Sequence, residues 1–424
     1  MAKHTYRAVD FNPACLDALA APLADNPPAR LVLGIDVGKK RHLVALMTAS
    51  HLAPLAFWRL DPVQVPLLMQ LLATTWAHLP IELVLEPSGT YADPLLHWAQ
   101  HHHLPIFIAP PQRVAALAET FDGVPSKHDG KDAALIAFFH LVRGAKPAEP
   151  HSPQRRDIRA LLDEVNELRL DKERLVNHLE AHLGRWWPTV PLPVSKLSLL
   201  HLLACFGDPE QIAINPDQAA DVLRKHSRGK LNEAQIQAVL QSAQARAGVP
   251  MTEVEQGRLK ALAQRLLEAH RQFKSATARL EAHSASEPAV ASMSFVGKVT
   301  AAVLVALLGQ PSLYSSAKQY EKAAGLNFRE RSSGKAGRPR GLTKRGPSLV
   351  RRYIYLAALR LVQNEPIVRA WYNKKVARDG NKVKLKAVVA VMRKLIQAMW
   401  HVGQGKVFDA SKLFNASGLS LEQG

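Results

Sequence analysis

The chain has 424 residues, too many for one hydrophobic core to serve and enough for two or three domains. Its 55 Lys and Arg against 36 Asp and Glu leave a formal charge of +19, which points to an anionic partner, nucleic acid rather than a membrane. Two cysteines, Cys15 and Cys205, exclude a disulfide framework or a cysteine-based zinc site, and without a long uncharged apolar run or a leader-like start the expectation is a soluble, cytoplasmic protein.

Residues 1–29 mix Ala, Leu, Pro and Asp without a sustained period, and read as an N-terminal extension or partner-docking arm. Strand-length apolar runs follow at 31–38 and 42–47, making a hairpin, then near 55–60 and at 81–85, with a helix after Pro62 between the last two. Helical spacing over 91–102, a strand at 105–109 and an amphipathic helix over 129–142 complete a strand and helix alternation. The pattern predicts an α/β domain on a mixed sheet over 30–150, ending in a Pro, Gly and Ala-rich linker at 144–153.

Helix dominates thereafter. Charge-dense segments at 154–183 and 253–283 carry apolar residues at helical spacing and are expected to pair as an antiparallel coiled coil over 151–285, interrupted by a helical insert at about 186–250. The last domain, 286–424, is predicted to be helical and opens on Met293 to Leu308 with a glycine turn suited to meeting a phosphate. From Glu287 onward there are 24 Lys and Arg against 7 Asp and Glu, leaving 31 against 29 before it, so the excess charge marks a surface in one third of the chain. Residues 325–347 lack helical period and form a basic loop, and helical spacing resumes over 348–371 and 384–402. His101-His102-His103 reads as an exposed cluster at a helix end, and Trp186-Trp187 as a core anchor.

Four carboxylates stand where metal chemistry would need them. Asp36 interrupts an apolar strand, where an unpaired charge is costly. Glu86 ends a strand, and Asp129 and Asp132 lie three apart at the start of a helix, able to face one side. Hard oxygen ligands of this kind suit Mg2+ or Mn2+, and two such ions can clamp the attacking and leaving oxygens of a phosphodiester.

Several motifs together resemble the DEDD transposases of the insertion sequence 110 family and the related Piv-type DNA invertases. They are Gly34-Ile35-Asp36-Val37-Gly38-Lys39, Leu85-Glu86-Pro87-Ser88-Gly89-Thr90-Tyr91 and Ser126-Lys127-His128-Asp129-Gly130-Lys131-Asp132-Ala133 in the first half. In the second half they are Phe295-Val296-Gly297, Ala324-Gly325-Leu326, Arg331-Ser332-Ser333-Gly334-Lys335 and Gly341-Leu342-Thr343-Lys344-Arg345-Gly346. Pro87 and Pro347 depart from the usual pattern without removing a catalytic group.

The resemblance implies an RNase H-like (RuvC-like) domain, a coiled coil and a helical C-terminal transposase domain, thus α/β plus all-α. It implies catalysis by Asp36, Glu86, Asp129 and Asp132 holding Mg2+ or Mn2+, and by a serine nucleophile, Ser333 by position with Ser332 second. Arg329, Arg331, Lys335, Arg338 and Arg340 surround that serine, where a phosphate would be held and developing charge stabilised. Lys39, Lys298, Lys344, Arg345 and Arg351 complete the cations assigned to nucleic acid. The implied partners are donor and target double-stranded DNA and a noncoding guide RNA, bound by homodimers assembling to homotetramers at the bacterial nucleoid. Two alternatives stand beside this: a metal-dependent Holliday-junction nuclease or DNA invertase, and a noncatalytic nucleic-acid-binding scaffold.

Overall fold

The computed structural model describes residues 6–50, 52–87, 89–123, 129–148, 152–328, 341–378, 380 and 384–414, without the side chains of Asp129 and Ser294. It divides into two compact units, Met1–Pro150 and His151–Gly424.

The first unit contains β1 (Val9–Asp10), α1 (Ala14–Asp25), β2 (Leu31–Asp36), β3 (His42–Thr48), β4 (Pro54–Leu60), α2 (Val65–Thr74), β5 (Ile81–Leu85) and α3 (Asp93–His101). It continues through β6 (Ile106–Ile108), α4 (Pro111–Ala115), α5 (Ala118–Asp122), α6 (Asp129–Arg143) and β7 (Lys146–Pro147). Among the described residues the sheet has seven strands in the order β1-β4-β3-β2-β5-β6-β7. In its central five strands only β3 runs against the others: β2 pairs antiparallel with β3, β3 antiparallel with β4, and β2, β5 and β6 are parallel. That order and polarity are those of an RNase H-like sheet.

The near-continuous apolar reading of β2 and β5 has a simple cause: both faces are covered. Leu31, Leu33 and Ile35 of β2 and Leu83 and Leu85 of β5 pack with α1, α2 and α3. Val32 and Val84, on the opposite face, pack with Ala133, Ile136 and Ala137 of α6. Residues 6–29, the described part of the expected extension, are not a separate arm. β1 adds in parallel to β4, and Leu16 and Leu23 of α1 are buried in the α2 and α3 side of the core. Part of the expected linker is likewise sheet, since β7 pairs antiparallel with β6.

The second unit is all helical among the described residues. It holds α7 (Pro153–Trp186), α8 (Leu197–Phe206), α9 (Pro209–Ile214), α10 (Pro216–Ser227), α11 (Glu233–Gln244), α12 (Glu253–Ser284), α13 (Pro288–Ala291), α14 (Lys298–Leu308), α15 (Ala317–Ala323), α16 (Ser348–Asn364), α17 (Pro366–Arg378), α18 (Lys384–Gly403) and α19 (Ala410–Leu413). α7 and α12 run antiparallel, with Glu164 paired to Arg279 near one end and Arg185 to Glu255 near the other. One end of the pair shares a core with α8–α11, and the other with the C-terminal helices. Trp186 and Trp187 are buried in the first of these cores, where Trp187 Nε1 donates to Ser242 Oγ at 2.9 Å.

The single helix expected over 348–371 is two. Pro366 lacks the N–H an ongoing helix needs and pushes Glu365 out of the helical region, to φ −108° and ψ 109°. No helix among the described residues is long and apolar enough to cross a membrane.

Candidate active site

Strand period decides which way the acidic residues face. Val32 and Gly34 lie on the α6 side of β2, so Asp36, two further on, emerges on that side at the strand's C-terminal end. Ile35 is in register with Leu85, and Glu86 follows β5 on the same face as Val84. α6 crosses this face and brings Asp132 to it. Asp36, Glu86 and Asp132 are all partly buried.

Three features set the position of α6. The first is Gly34: a Cβ built there would lie 2.2 Å from the Ala133 carbonyl oxygen and 2.7 Å from the Ala137 nitrogen, so only glycine lets the helix backbone lie this close to the strand. The second is the buried Lys131, whose Nζ lies 2.6 Å from Asp122 Oδ1. Tyr6 donates to the same carboxylate at 2.7 Å, and burial followed by Asp122 pushes its phenol up to about 12.

The third is a clamp at the far end of the helix. The Ala145 N–H donates to His140 Nδ1 at 2.9 Å, which assigns the ring proton to Nε2, and Nε2 donates to Glu82 Oε2 at 2.9 Å. Arg30 Nε donates to the same oxygen at 2.6 Å. Burial is the main force holding the His140 imidazole below the ordinary histidine value of 6.5. A histidine depressed in the native state loses stability as pH falls through its unfolded value, because the unfolded chain takes up the proton first. His42, buried on β3 and also depressed by burial, acts with the same sign. His140→Ala should cost about 2 kcal/mol in denaturant unfolding at neutral pH, and should flatten, without abolishing, the loss of stability between neutral pH and pH 5.

Glu86 reports the electrostatics of the site. Burial is the largest influence raising its carboxyl above the ordinary glutamate range, and the charges of Asp36 and then Asp132 push it further. Three carboxylates thus converge on one end of the sheet and repel one another. Among the described residues no three potential ligands are spaced to hold an ion, and the Asp129 side chain is outside that description. The donor set nonetheless fits a hard divalent cation, which would relieve the repulsion that raises Glu86. Lys39 is exposed just beyond Asp36.

In the second unit Ser332 and Ser333 lie outside the described residues, as do Arg329, Arg331, Lys335, Arg338 and Arg340. The described residues on either side of them meet in a closed neck. Phe328 bridges Leu342, the Thr343 N–H donates to the Asn327 carbonyl at 2.8 Å, and Gly346 packs so tightly on Ala323 that a Cβ there would meet its carbonyl at 2.3 Å. Arg351 Nη1 donates to the Gly346 carbonyl at 2.6 Å, and so braces the neck. Arg393 lies 4.0 Å over the Phe328 ring and pairs at 2.5 Å with the buried Glu321.

Lys344 and Arg345 are exposed beside the neck, and Lys298 is exposed at the start of α14. The glycine turn before α14 faces Arg360, whose Nη2 donates to the Val296 carbonyl at 3.0 Å. Sequence reasoning passed over Tyr6, Arg30, Glu82, Asp122, Lys131, His140, Glu321 and Arg393, because an ionisable residue shows its partner only once the chain has folded.

Two family models match the chain: an IS110 DEDD model described as transposase over residues 33–188, and one described as transposase of the IS116/IS110/IS902 family over residues 288–373. Together they cover more than half of its length. The chain belongs to the IS110 family of transposases. This IS110 transposase is 23% identical over 408 residues to the insertion element IS110 uncharacterized 43.6 kDa protein of Streptomyces coelicolor, covering 92% of this chain and 98% of that protein. A pilin gene-inverting protein of Moraxella lacunata is 26% identical over 34% of this chain and 46% of its own, and that of Moraxella bovis 33% identical over 22% and 30%.

The solved structure of T. thermophilus RuvC in complex with Holliday junction substrate is 16% identical, covers 28% of this chain and 99% of that one, and has a TM-score of 0.23. The fold assignment stands on the strand order and on the DEDD transposase match. An IS110 transposase is an enzyme that acts on DNA, and the DEDD group depends on divalent metal.

Proposed function

We propose that this transposase cuts and exchanges DNA strands with two sets of groups. Asp36, Glu86, Asp129 and Asp132 hold Mg2+ or Mn2+ at the C-terminal end of β2 and β5, and Ser333, with Ser332 as the second candidate, attacks the phosphodiester. The serine Oγ loses its proton and bonds to phosphorus as one P–O bond to sugar breaks, and that sugar oxygen leaves as a protonated hydroxyl end. The observation that carries this reading is the convergence of Asp36, Glu86 and Asp132 on one end of the sheet, set by strand register and by the close seat of α6 on β2. A divalent cation is the partner that would offset all of these charges at once.

When bound, the metal supplies Lewis-acid stabilisation of the charge developing on the phosphodiester oxygens. The chain's own groups do the rest. Asp36 and Glu86 are fixed by strand register, and α6, held at Gly34 and by the Lys131 and His140 contacts, fixes Asp132. The basic loop carries Ser333 among five cations that hold the phosphate and stabilise its transition state.

A noncoding guide RNA chooses donor and target DNA in this reading, and homodimers assemble to homotetramers on both, in the cytoplasm at the nucleoid. The relatives named for pilin gene inversion favour a second outcome of the same chemistry, inversion of a segment in place.

Metal binding tests the acidic half of the reading directly. Mn2+ at about 100 times its dissociation constant should raise unfolding stability by about 2.7 kcal/mol. Glu86→Gln should lose most of that gain while stabilising the metal-free protein, because it removes the repelled charge. Relative to Glu86→Gln, the metal-free wild type should lose less stability as pH falls from neutral toward the raised Glu86 value, since a carboxyl raised in the native state binds its proton more tightly there and so offsets part of the histidine effect. Calorimetry and thermal unfolding read both effects. If Mn2+ stabilises wild type and Glu86→Gln equally, these carboxylates are not its ligands.

A further inference from the structure

The helical insert forms a half-open cavity of about 270 Å3 at the N-terminus of α8. The insert is nearly balanced overall, but its charges are segregated. Arg224 takes Asp221 and Glu233, and Arg246 takes Glu210. Lys196, Arg228 and Lys230 line the cavity, and none of them is ion-paired among the described residues. No lining residue is acidic.

The other groups there are donors as well. α8 has ten residues, and no side chain caps its first N–H groups. Ser198, in its first turn, lines the cavity although only 3% exposed, and its hydroxyl has no hydrogen-bond partner among the described residues. A serine held this deep whose hydroxyl has no protein partner is left to bond whatever enters the cavity, where its charged neighbours are all cations. His226 closes one side, its ring 3.6 Å from that of His201. Burial first, then the charges of Lys225 and Arg228, holds His226 below the ordinary histidine range, so the surroundings are electropositive.

We propose that this cavity is a binding site for a phosphate group, held by Lys196, Arg228 and Lys230 and by donors from Ser198 and the N-terminus of α8. Three cations and an uncapped helix end with no carboxylate match a tetrahedral dianion or a phosphodiester. The site would give the insert a grip on phosphate separate from the basic loop and from the acidic centre.

The test uses the full chain and inorganic phosphate, titrated at constant ionic strength with chloride as the replaced ion. Calorimetry and the His201 and His226 imidazole resonances report binding. Wild type should bind saturably with both resonances moving, and K196Q/K230Q should weaken binding at least about tenfold. Arg228 adopts a left-handed backbone, φ 52° and ψ 44°, so R228G removes the guanidinium without straining the turn. S198A serves as a second, nearly isosteric variant, with thermal unfolding as the check on folding.

A short single-stranded DNA oligonucleotide separates the two sources of phosphate. If it displaces phosphate and binds more weakly to K196Q/K230Q, the site takes a nucleic-acid backbone. If phosphate binds but the oligonucleotide does not compete, the site takes a free phosphate or small phosphate ester. Absence of saturable binding, or equal phosphate affinity in wild type and all of these variants, overturns the proposal.

Discussion

Ser333→Ala is expected to abolish strand exchange on a plasmid carrying the element ends and target, by at least about 10³-fold, because without the hydroxyl no oxygen is left to form the covalent bond to phosphorus. Mn2+ binding and unfolding stability should stay at wild-type levels, since the serine belongs to a different unit from the acidic centre. Asp36→Asn should lose exchange to a similar extent for another reason, with weakened Mn2+ binding. Ser332→Ala separates the two candidate serines and should retain exchange within a few-fold of wild type. The decisive comparison is cleavage by Ser333→Ala: DNA cut at the normal rate would leave the acidic centre as the sole catalyst and favour a metal-dependent junction nuclease. Neither cleavage nor exchange by wild type with either metal would favour a nucleic-acid-binding scaffold.

Gly34→Ala adds one methyl group and should destabilise the first unit by about 3 kcal/mol, large for so small a change. The cause is the 2.2 Å approach of the new Cβ to the Ala133 carbonyl, a backbone atom that cannot swing aside. α6 must then lift from β2, and Asp132 moves with it. Mn2+ affinity and strand exchange should fall together, though no proposed ligand has been altered. A fluorescence-monitored denaturation curve and a Mn2+ titration on the same preparation check this, and unchanged values in both would remove Gly34 from its positioning role. Gly184, in α7, where a Cβ would meet nothing within 4 Å and the backbone φ is not positive, is the control site for adding a methyl group to a glycine without a close backbone neighbour.

Much of this architecture is legible in residue order. Apolar runs of strand length at 31–38, 42–47 and 81–85, and helical spacing after 129, appear in the structure as β2, β3, β5 and α6, because burial on both faces and the 3.6-residue period are local properties of the chain. The tryptophan pair at 186–187 was recognisable as core for a similar reason: large apolar rings before a proline have few other places to go. The extension assigned to residues 1–29 went the other way. Two residues of β1 and a helix with little amphipathic period give a weak local signal, and their place in the sheet depends on β4, some fifty residues downstream.

The acidic set divides along the same line. From sequence alone Asp36 stands out, because a charge inside an apolar strand needs a reason, and the order strand Asp, strand-end Glu, helix Asp pair suggests a metal. Whether Glu86 and Asp132 reach Asp36 was decided by strand pairing and helix docking: Ile35 in register with Leu85, and α6 drawn onto β2 through Gly34. The Arg30, Glu82 and His140 clamp and the cation-lined cavity of the insert were likewise settled only by folding. Periodicity and composition act between near neighbours, whereas partners far apart in the chain are chosen by which surfaces can be buried together.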